Sequence, residues 1–258
     1  MKNNKKLISG SGLKPSFWRP QTDNDFRGSK THIILKEWKE SESNRKVSLF
    51  TLNEISDFQK EVKIIHSILN GRVEWTNIIT IYGDGIININ AETDMDTTLS
   101  VVPKIGLSMQ IPAEYNLITW FGKGPQENYI DRSYGAFAGL YSLNIDDFIT
   151  PYIMPQENGN RTEVRWMKLT AKDRSGIQID GNQHLSISAL PWTCEQIEKA
   201  QHTNELPSNN FIVVNIDLKQ MGVGGNDTWT MRAFPLEQFQ IKPGKYNYSF
   251  TLNSVTEK

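Results

Sequence analysis

Alternation of apolar and polar residues with a period of two is the feature that most constrains the fold of this chain. The stretches 72–82 (RVEWTNIITIY) and 86–92 (IININAE) alternate in this way and flank Gly83-Asp84-Gly85, which is typical of a hairpin with a short turn. Comparable stretches, each bounded by turn residues, occur at 166–171, 176–180, 184–190, 211–218 and 245–253. Because a period of two places side chains alternately on the two faces of a sheet, the sequence predicts an all-β protein.

Helical patterns are confined to two segments. We predict short surface helices at 32–41 and 193–202, the second with Thr193 as N-cap and Gln196 completing a capping box. No internal repeat, low-complexity tract or linker-like run divides the chain. The sequence therefore predicts one domain, 1–258, built from two packed antiparallel sheets.

Composition and charge exclude several classes of partner. The 258 residues are 38% hydrophobic, and 28 basic residues against 29 acidic ones give a net charge of −1. This balance argues against a nucleic acid partner, and the absence of a long apolar run argues against a membrane. Cys194 is the only cysteine, which excludes an internal disulfide and is compatible with a cytoplasmic or an exported protein. The four scattered histidines lack metal-ligand spacing, so we predict no metal site.

Five motifs, in order along the chain, resemble the C-terminal domain of family 2 β-galactosidases. They are FWRPQTDND (17–25), WFGKGPQENYIDR (120–132), TPYIMPQENGNRTEVRW (150–166), SALPWTCEQIEKAQHTNEL (188–206) and IDLKQMGVGGNDTW (216–229). The resemblance covers nearly the whole chain. It implies a large antiparallel β-supersandwich of the galactose-mutarotase-like kind, which agrees with the strand pattern.

The resemblance also implies how the domain is used. We expect a C-terminal fragment of a longer multidomain enzyme, without the first strands of the domain, that packs on a catalytic (β/α)8 barrel of the same full-length chain. An exposed sheet edge would favour pairing with another copy, so a homo-oligomer is a further expectation.

Retaining hydrolysis of β-D-galactosides needs two carboxylates about 5 Å apart. The resemblance places that pair on the barrel, so we predict no catalytic residue here and no activity of the isolated chain. We expect no cofactor in this chain, with any metal ions of the intact enzyme bound elsewhere. Acids beside arginines, Asp131 with Arg132 and Glu163 with Arg165, are predicted to form structural ion pairs.

The loop GVGGNDTW (222–229) is the first candidate sugar-binding segment. A tryptophan face offers a flat surface for the C–H face of a sugar ring, and the glycines would permit the backbone turns that carry it outward. The resemblance implies that Trp229 stacks on bound sugar, and we include Asn226 and Asp227 as candidate contacts. The alternative is that Trp229 is a core residue at the start of a strand.

A second candidate segment is RPQTDNDFRGSK (19–30). Asp23, Asn24 and Asp25 would fix a turn through side-chain-to-backbone hydrogen bonds, and their oxygens could also bind a hard cation. The resemblance implies a loop beside the active site, so these three residues are predicted to contact substrate.

Two further motifs are predicted to act mainly as scaffold, with sugar or domain contact as the alternative. They are GKGPQENYIDR (122–132), where we expect a turn after the strand LITWF, and TPYIMPQENGNR (150–161). Two other functions stay open: a free-standing carbohydrate-binding module, and a purely structural domain that packs against the barrel and against other subunits. An aldose epimerase, which would use histidines with Glu127, is not favoured. Nothing in the local sequence of the histidines favours the epimerase.

Overall fold

The fold of residues 7–10 and 12–256, which the computed structural model describes, is dominated by antiparallel strands. Twelve strands form one hydrogen-bonded sheet. They are β1 (Lys14–Ser16), β2 (Arg45–Ser56), β3 (Gln59–Ile68), β4 (Val73–Tyr82), β5 (Ile87–Met95), β6 (Lys104–Pro112), β7 (Leu117–Gly124), β8 (Phe137–Asn144), β9 (Arg161–Thr170), β10 (Ser175–Leu190), β11 (Phe211–Gln220) and β12 (Lys245–Thr256). The prediction of an all-β antiparallel fold is confirmed, although the strands are joined in one hydrogen-bonded sheet and not in the two packed sheets expected from the sequence.

Strand β10 is the point at which this sheet branches. Its first part, Ser175–Gly181, pairs with β12, and its last part, Ser186–Leu190, pairs with β11. One arm then continues through β12, β5, β4, β3 and β2, and the other through β11, β6 and β1. Strands β9, β7 and β8 extend the sheet from the opposite edge of β10. The strands are therefore joined in one branched sheet.

The predicted β4–β5 hairpin is confirmed, with residues 83–86 between its strands. A second prediction needs correction, because 176–180 and 184–190 are parts of one strand, β10, and 181–183 is not a turn between hairpin strands. The pairing with β9 shifts register between Asp180 and Leu185, so the extra residues are absorbed as an irregularity within a continuous strand.

Four short helices lie between the strands: α1 (Thr31–Ile34), α2 (Lys36–Glu40), α3 (Ile145–Phe148) and α4 (Cys194–Lys199). Helix α4 begins with the predicted capping box of Thr193 and Gln196. The helix predicted at 32–41 is instead the pair α1 and α2, and it is not a surface helix throughout. Trp38 of α2 is fully buried against Phe17, with ring centroids 5.3 Å apart.

The core contains large aromatic side chains from several elements. Trp75 of β4 contacts Phe17 edge-on at 5.4 Å, and Trp120 of β7 meets Phe148 of α3 at 5.4 Å. Such contacts add to the stabilisation that comes from burying apolar area. Within the described residues, none of the helices has the length and apolar character needed to cross a membrane.

Candidate functional site

An open pocket of about 420 Å³ lies where four distant parts of the chain converge. Three of the motifs singled out in the sequence each contribute some of the lining residues, and the glycine loop contributes others. The lining residues are Thr22, Asp23, Asn24, Tyr129, Asp131, Arg132, Tyr152, Gln156, Glu157, Val223, Gly224, Gly225, Leu236 and Phe239. The fold thus brings both predicted sugar-binding segments to the same place as the two predicted scaffold motifs.

The backbone at 221–224, which we call the gripped segment, is held from two sides. The buried guanidinium of Arg19 donates to the carbonyl oxygens of Met221 and Gly222 at 2.7 and 2.8 Å. Asp131 Oδ2 accepts from the N–H groups of the next two residues at 2.8 and 2.9 Å. Hydrogen bonds to charged groups are stronger than neutral ones, so these contacts fix the path of the chain as it leaves β11.

The predicted pairing of Asp131 with Arg132 is wrong. Residues 129–132 form a tight turn, in which Arg132 N–H donates to the Tyr129 carbonyl at 2.8 Å. The turn directs the Asp131 carboxylate to the gripped segment, while the Arg132 guanidinium pairs with Glu127.

The predicted pairing of Glu163 with Arg165 is also wrong. Residues two apart in a regular strand share a face, but Glu163 has a left-handed backbone with φ of 52°. Its carboxylate pairs with Lys123 at 2.7 Å, and the Arg165 guanidinium lies over the Phe121 ring at 5.0 Å.

Glu127 joins the two predicted scaffold motifs. Its carboxylate accepts from the Tyr152 hydroxyl and from the Gly159 N–H, the latter at 2.8 Å. These contacts, with the Arg132 ion pair, occupy both carboxylate oxygens. The expected turn directly after LITWF is displaced, because β7 continues to Gly124.

Burial dominates the electrostatics of the buried ionisable groups at and near the pocket. It raises the pKa of Glu157 above its ordinary value, and it raises the pKa of Tyr129, whose hydroxyl donates to Glu157 Oε1 at 3.4 Å. Burial also lowers the pKa of Arg161 to about 10, and its guanidinium lies 4.0 Å from the centre of the Phe148 ring. Tyr129 and Glu157 both line the pocket, so its wall contains deeply buried polar groups.

Asp23 and Asn24 line the pocket at the start of a helical turn, Asn24–Gly28. The Asp23 carboxylate is exposed and lies 3.3 Å from the Arg27 guanidinium. Asn24 Nδ2 donates to the Val223 carbonyl at 3.2 Å, which ties this loop to the gripped segment. Contact of these two residues with a substrate remains a prediction.

Asp25 lies below the pocket surface, where it is buried. Its carboxylate contacts Arg19 Nη2 at 3.2 and 3.3 Å, and Oδ2 accepts from the Thr22 N–H at 3.1 Å. The side-chain-to-backbone hydrogen bond predicted for this turn is therefore present. Substrate contact by Asp25 remains a prediction that its burial does not favour.

Trp229 lies on the same loop as the gripped segment and is 74% exposed, although it does not line the pocket itself. The alternative that Trp229 is a core residue is wrong.

Asp227 shapes the loop tip: Oδ1 accepts from the N–H groups of Trp229 and Thr230 at 3.2 and 3.0 Å. Hydrogen bonds with Thr230 lower the pKa of Asp227. The Asn226 N–H donates to a backbone carbonyl, that of residue 232, at 2.7 Å.

The glycines of this loop serve close approach rather than the turn freedom expected from the sequence. None of Gly222, Gly224 and Gly225 has a positive φ. A Cβ on Gly222 would lie 2.7 Å from Asp131 Oδ2, and one on Gly225 would lie 2.2 Å from the Arg232 carbonyl oxygen. Only hydrogen fits at these two positions.

Sequence reasoning did not identify Arg19 as part of the site. Its position inside the first motif, between Trp18 and Pro20, was the available signal. Its main partners are backbone carbonyls, and because every residue has one, the sequence does not indicate which residues Arg19 contacts. Across residues 7–10 and 12–256, no group of three or more His, Cys, Asp or Glu side chains is arranged to hold a metal ion.

Comparison with known proteins gives consistent matches at the level of sequence. The family model described as "Beta galactosidase small chain" matches residues 1–252. The β-galactosidase of Priestia megaterium is 34% identical over 251 residues, which cover 96% of this chain and 24% of that protein. The β-galactosidase of Vibrio cholerae is 31% identical over 261 residues, again 96% and 24%. The chain spans about a quarter of the length of these relatives.

Solved structures show more distant similarity. Galactose 1-epimerase from Lactobacillus acidophilus has a TM-score of 0.45 and 8% identity, covering 81% of this chain and 66% of that chain. The galactosidase domain of an α-galactosidase-sucrose kinase has a TM-score of 0.44 and 9% identity, covering 83% and 28%.

Proposed function

Because this chain belongs to the β-galactosidase small-chain family, we propose that it forms one wall of the sugar site of a β-galactosidase and carries none of its catalytic carboxylates. The intact enzyme would hydrolyse terminal β-D-galactosides with retention of configuration. The carboxylate pair would lie on a (β/α)8 barrel in the part of the enzyme that this chain does not span.

The convergence of the two candidate segments on one pocket is the observation that carries this proposal. Asp23 and Asn24 line the pocket with polar atoms, and exposed Trp229 projects from the loop that continues from it. Sugar recognition combines an aromatic face against C–H groups with hydrogen bonds to hydroxyl groups. Because the pocket is open on one side, it can form one wall of a sugar site that another domain of the enzyme completes.

The acids at the pocket support a structural role. Asp131 accepts two backbone N–H bonds, and Glu157 is buried beside the Tyr129 hydroxyl. A retaining glycosidase needs one carboxylate free to attack the sugar and another free to transfer a proton. We infer that both acids hold the wall in place. We also infer that no cofactor binds this chain and that metal ions of the intact enzyme bind elsewhere.

Hydrolysis of a chromogenic β-galactoside tests whether the catalytic carboxylates lie outside this chain. The purified chain should give no turnover above a heat-treated control, even at high protein concentration. Mixed with a β-galactosidase polypeptide that lacks the matching region, it should restore turnover. Activity of the chain alone that survives purification and disappears in Glu127→Gln would mean that this chain is an enzyme by itself.

Trp229→Ala tests the aromatic wall. In the assembled enzyme, we expect kcat/KM to fall about 10- to 150-fold, because roughly 1.5–3 kcal/mol of apolar contact with the sugar is lost. Phe137→Ala is the matched control, since Phe137 is also 74% exposed but lies on β8. Equal effects of the two substitutions on kcat/KM would contradict the assignment.

The exposure of Trp229 in the chain alone favours one other function, a free-standing carbohydrate-binding module. Half a pocket buries only part of a ligand, so such a module would bind galactose weakly. Quenching of Trp229 fluorescence by galactose in the isolated chain, absent in Trp229→Phe, would favour the module.

A further inference from the structure

The core-facing side of the sheet arm that ends in β2 is apolar and extends beyond the core, where it becomes exposed. In the strand register, Leu52, Val62, Ile79 and Ile89 stand directly opposite one another across β2, β3, β4 and β5. Directly opposed residues of antiparallel strands share a face. Ile89 is buried in the core, whereas Leu52 at the other end of the row is 56% exposed.

The next row repeats this gradient. It consists of Phe50, Ile64, Asn77 and Ala91. Ala91 is fully buried and Phe50 is 62% exposed. The core-facing side of the sheet thus continues beyond the edge of the core. We call the part where burial decreases, Phe50, Leu52, Val62, Ile64 and Ile79, the open face. Phe50 and Leu52 are exposed, whereas the other three are partly buried.

The other side of the same strands carries more polar residues near Leu52. The row next to Leu52 on that side is polar throughout, with Asn53, Glu61, Thr80 and Asn88. In this row the sheet is therefore apolar on its core-facing side and polar on the other, while the next rows of the polar side include Ile78 and Ile65. Contiguous exposed apolar surface on a soluble protein commonly marks an interaction site.

Strand β2 is also a free edge. It pairs only with β3 among the described strands, and it carries more exposed large apolar side chains than any other of them. The pairing of β2 shifts register at two points, which weakens the edge as a template for another strand, but its exposed apolar side chains remain a liability unless another body covers them. The nearby charges Glu54 and Lys60 pair with each other at 2.6 Å, so they set no charge requirement for that body.

We propose that the open face is the docking surface for the rest of a β-galactosidase polypeptide, the part of its relatives that this chain does not span. The proposal rests on the proposed function, in which the catalytic groups lie on that other part. Relatives 31–34% identical over 96% of this chain extend about four times its length, so they contain other segments of the same polypeptide that are available to cover this face. The open face offers those segments an apolar area continuous with the core.

Co-purification tests the proposal directly. The tagged 258-residue chain is co-expressed with the Priestia megaterium β-galactosidase polypeptide that lacks the region matched by this chain. We expect the wild-type chain to retain that polypeptide, and Phe50→Lys and Leu52→Lys each to retain at least about tenfold less. Asn53→Lys is the matched control: it adds the same charge beside Leu52 but on the polar side, opposite Glu61, and should behave as wild type.

Two measurements keep the result interpretable. Near-UV circular dichroism verifies that each variant is folded, and hydrogen exchange should show slower exchange of β2 and β3 amides in the complex than in the free chain. Retention of the polypeptide by Phe50→Lys and Leu52→Lys at the wild-type level overturns the proposal. So does a wild-type chain that retains no polypeptide.

A second copy of the chain is the competing occupant. Sedimentation velocity that shows a wild-type dimer and a monomeric Phe50→Lys would assign the open face to that copy and overturn the proposal. Failure of the proposed function has a different signature: the assembled complex forms through the open face but hydrolyses no β-galactoside.

Discussion

Gly225 shows at the scale of one residue how the loop that carries Trp229 is held. Its Cα is packed so closely that an added Cβ would lie 2.2 Å from the carbonyl oxygen of Arg232 and 2.4 Å from that of Phe234. Both neighbours are backbone atoms, which cannot turn away as a flexible side chain would. The loop therefore folds back on itself through a contact that only glycine permits.

Gly225→Ala should accordingly destabilise the chain by about 1–3 kcal/mol, as overpacking does at other crowded sites. Gly224→Ala is the control one residue away, since its added Cβ would meet only Asn24 Nδ2, at 3.4 Å. That variant should remain within about 0.5 kcal/mol of wild type. Urea unfolding measures both, and equal midpoints for the two variants would show that the close approach has no energetic weight.

Asp217 is a second residue whose surroundings have a measurable consequence. It is buried on β11, with Lys104 Nζ at 3.4 Å from Oδ2. Burial raises the pKa of Asp217 from 3.8 to about 7, with Lys104 acting in the opposite direction. Between these two pH values the folded state binds a proton that the unfolded state has released. The contribution of Asp217 to the free energy of unfolding therefore decreases as the pH rises from about 4 to about 7.

Asp217→Asn should remove this contribution, so the free energy of unfolding should depend less on pH in that window than it does for wild type. Asparagine matches the size of aspartate beside Gly106, where space is limited. Urea unfolding at a series of pH values gives the slope. Parallel wild-type and variant slopes would mean that Asp217 is charged in the folded state throughout.

At the scale of elements, strands with one buried and one solvated side were predictable, and the others were not. Strand β5 alternates between exposed and buried residues, which is the pattern that sequence reasoning detects. Strand β6 is buried on both sides, and β2 is largely exposed on both, so neither has a usable alternation. Helix α2 was misjudged as a surface helix because the sequence does not reveal what covers Trp38.

The candidate site was predictable to a similar degree. The motifs identified segments that meet at the pocket, and the exposure of Trp229 agrees with its position at the end of a glycine loop. The hydrogen bonds from Arg19 and Asp131 to the gripped segment were not predictable, because their partners there are backbone groups, which every residue type has. Which carboxylate pairs with which arginine also depends on turn geometry and on the left-handed conformation of Glu163.

At the scale of the whole molecule, a tightly packed core and an uncovered apolar face occur in the same sheet. Trp38, Trp75 and Trp120 are fully buried, while Phe50 and Leu52 remain exposed on the continuation of the core-facing side. The isolated chain should therefore combine properties that usually exclude each other: fixed aromatic packing and accessible apolar surface.

Binding of the dye anilinonaphthalene sulfonate (ANS) tests this combination. The isolated chain should enhance ANS fluorescence and still give sharp near-UV circular dichroism bands, which a molten globule lacks. The double variant Phe50→Lys/Leu52→Lys should reduce the enhancement by about half or more, because the dye loses much of its apolar contact. Asn53→Lys serves as the charge control. Unchanged fluorescence in the double variant would place the accessible apolar surface elsewhere on the chain.

The hydrogen bonds that Arg19 and Asp131 make to the gripped segment also determine when, during synthesis of the chain, this region can fold. Arg19 and its partner Met221 are 202 positions apart, and Asp131 is 92 positions from Val223. The β4–β5 hairpin closes over residues 83–86 and can form while the chain is still being synthesised. Arg19, by contrast, leaves the ribosome long before the carbonyl groups that it will bind. These contacts thus form only after residues 221–224 have been synthesised, and a product terminated before that segment lacks them.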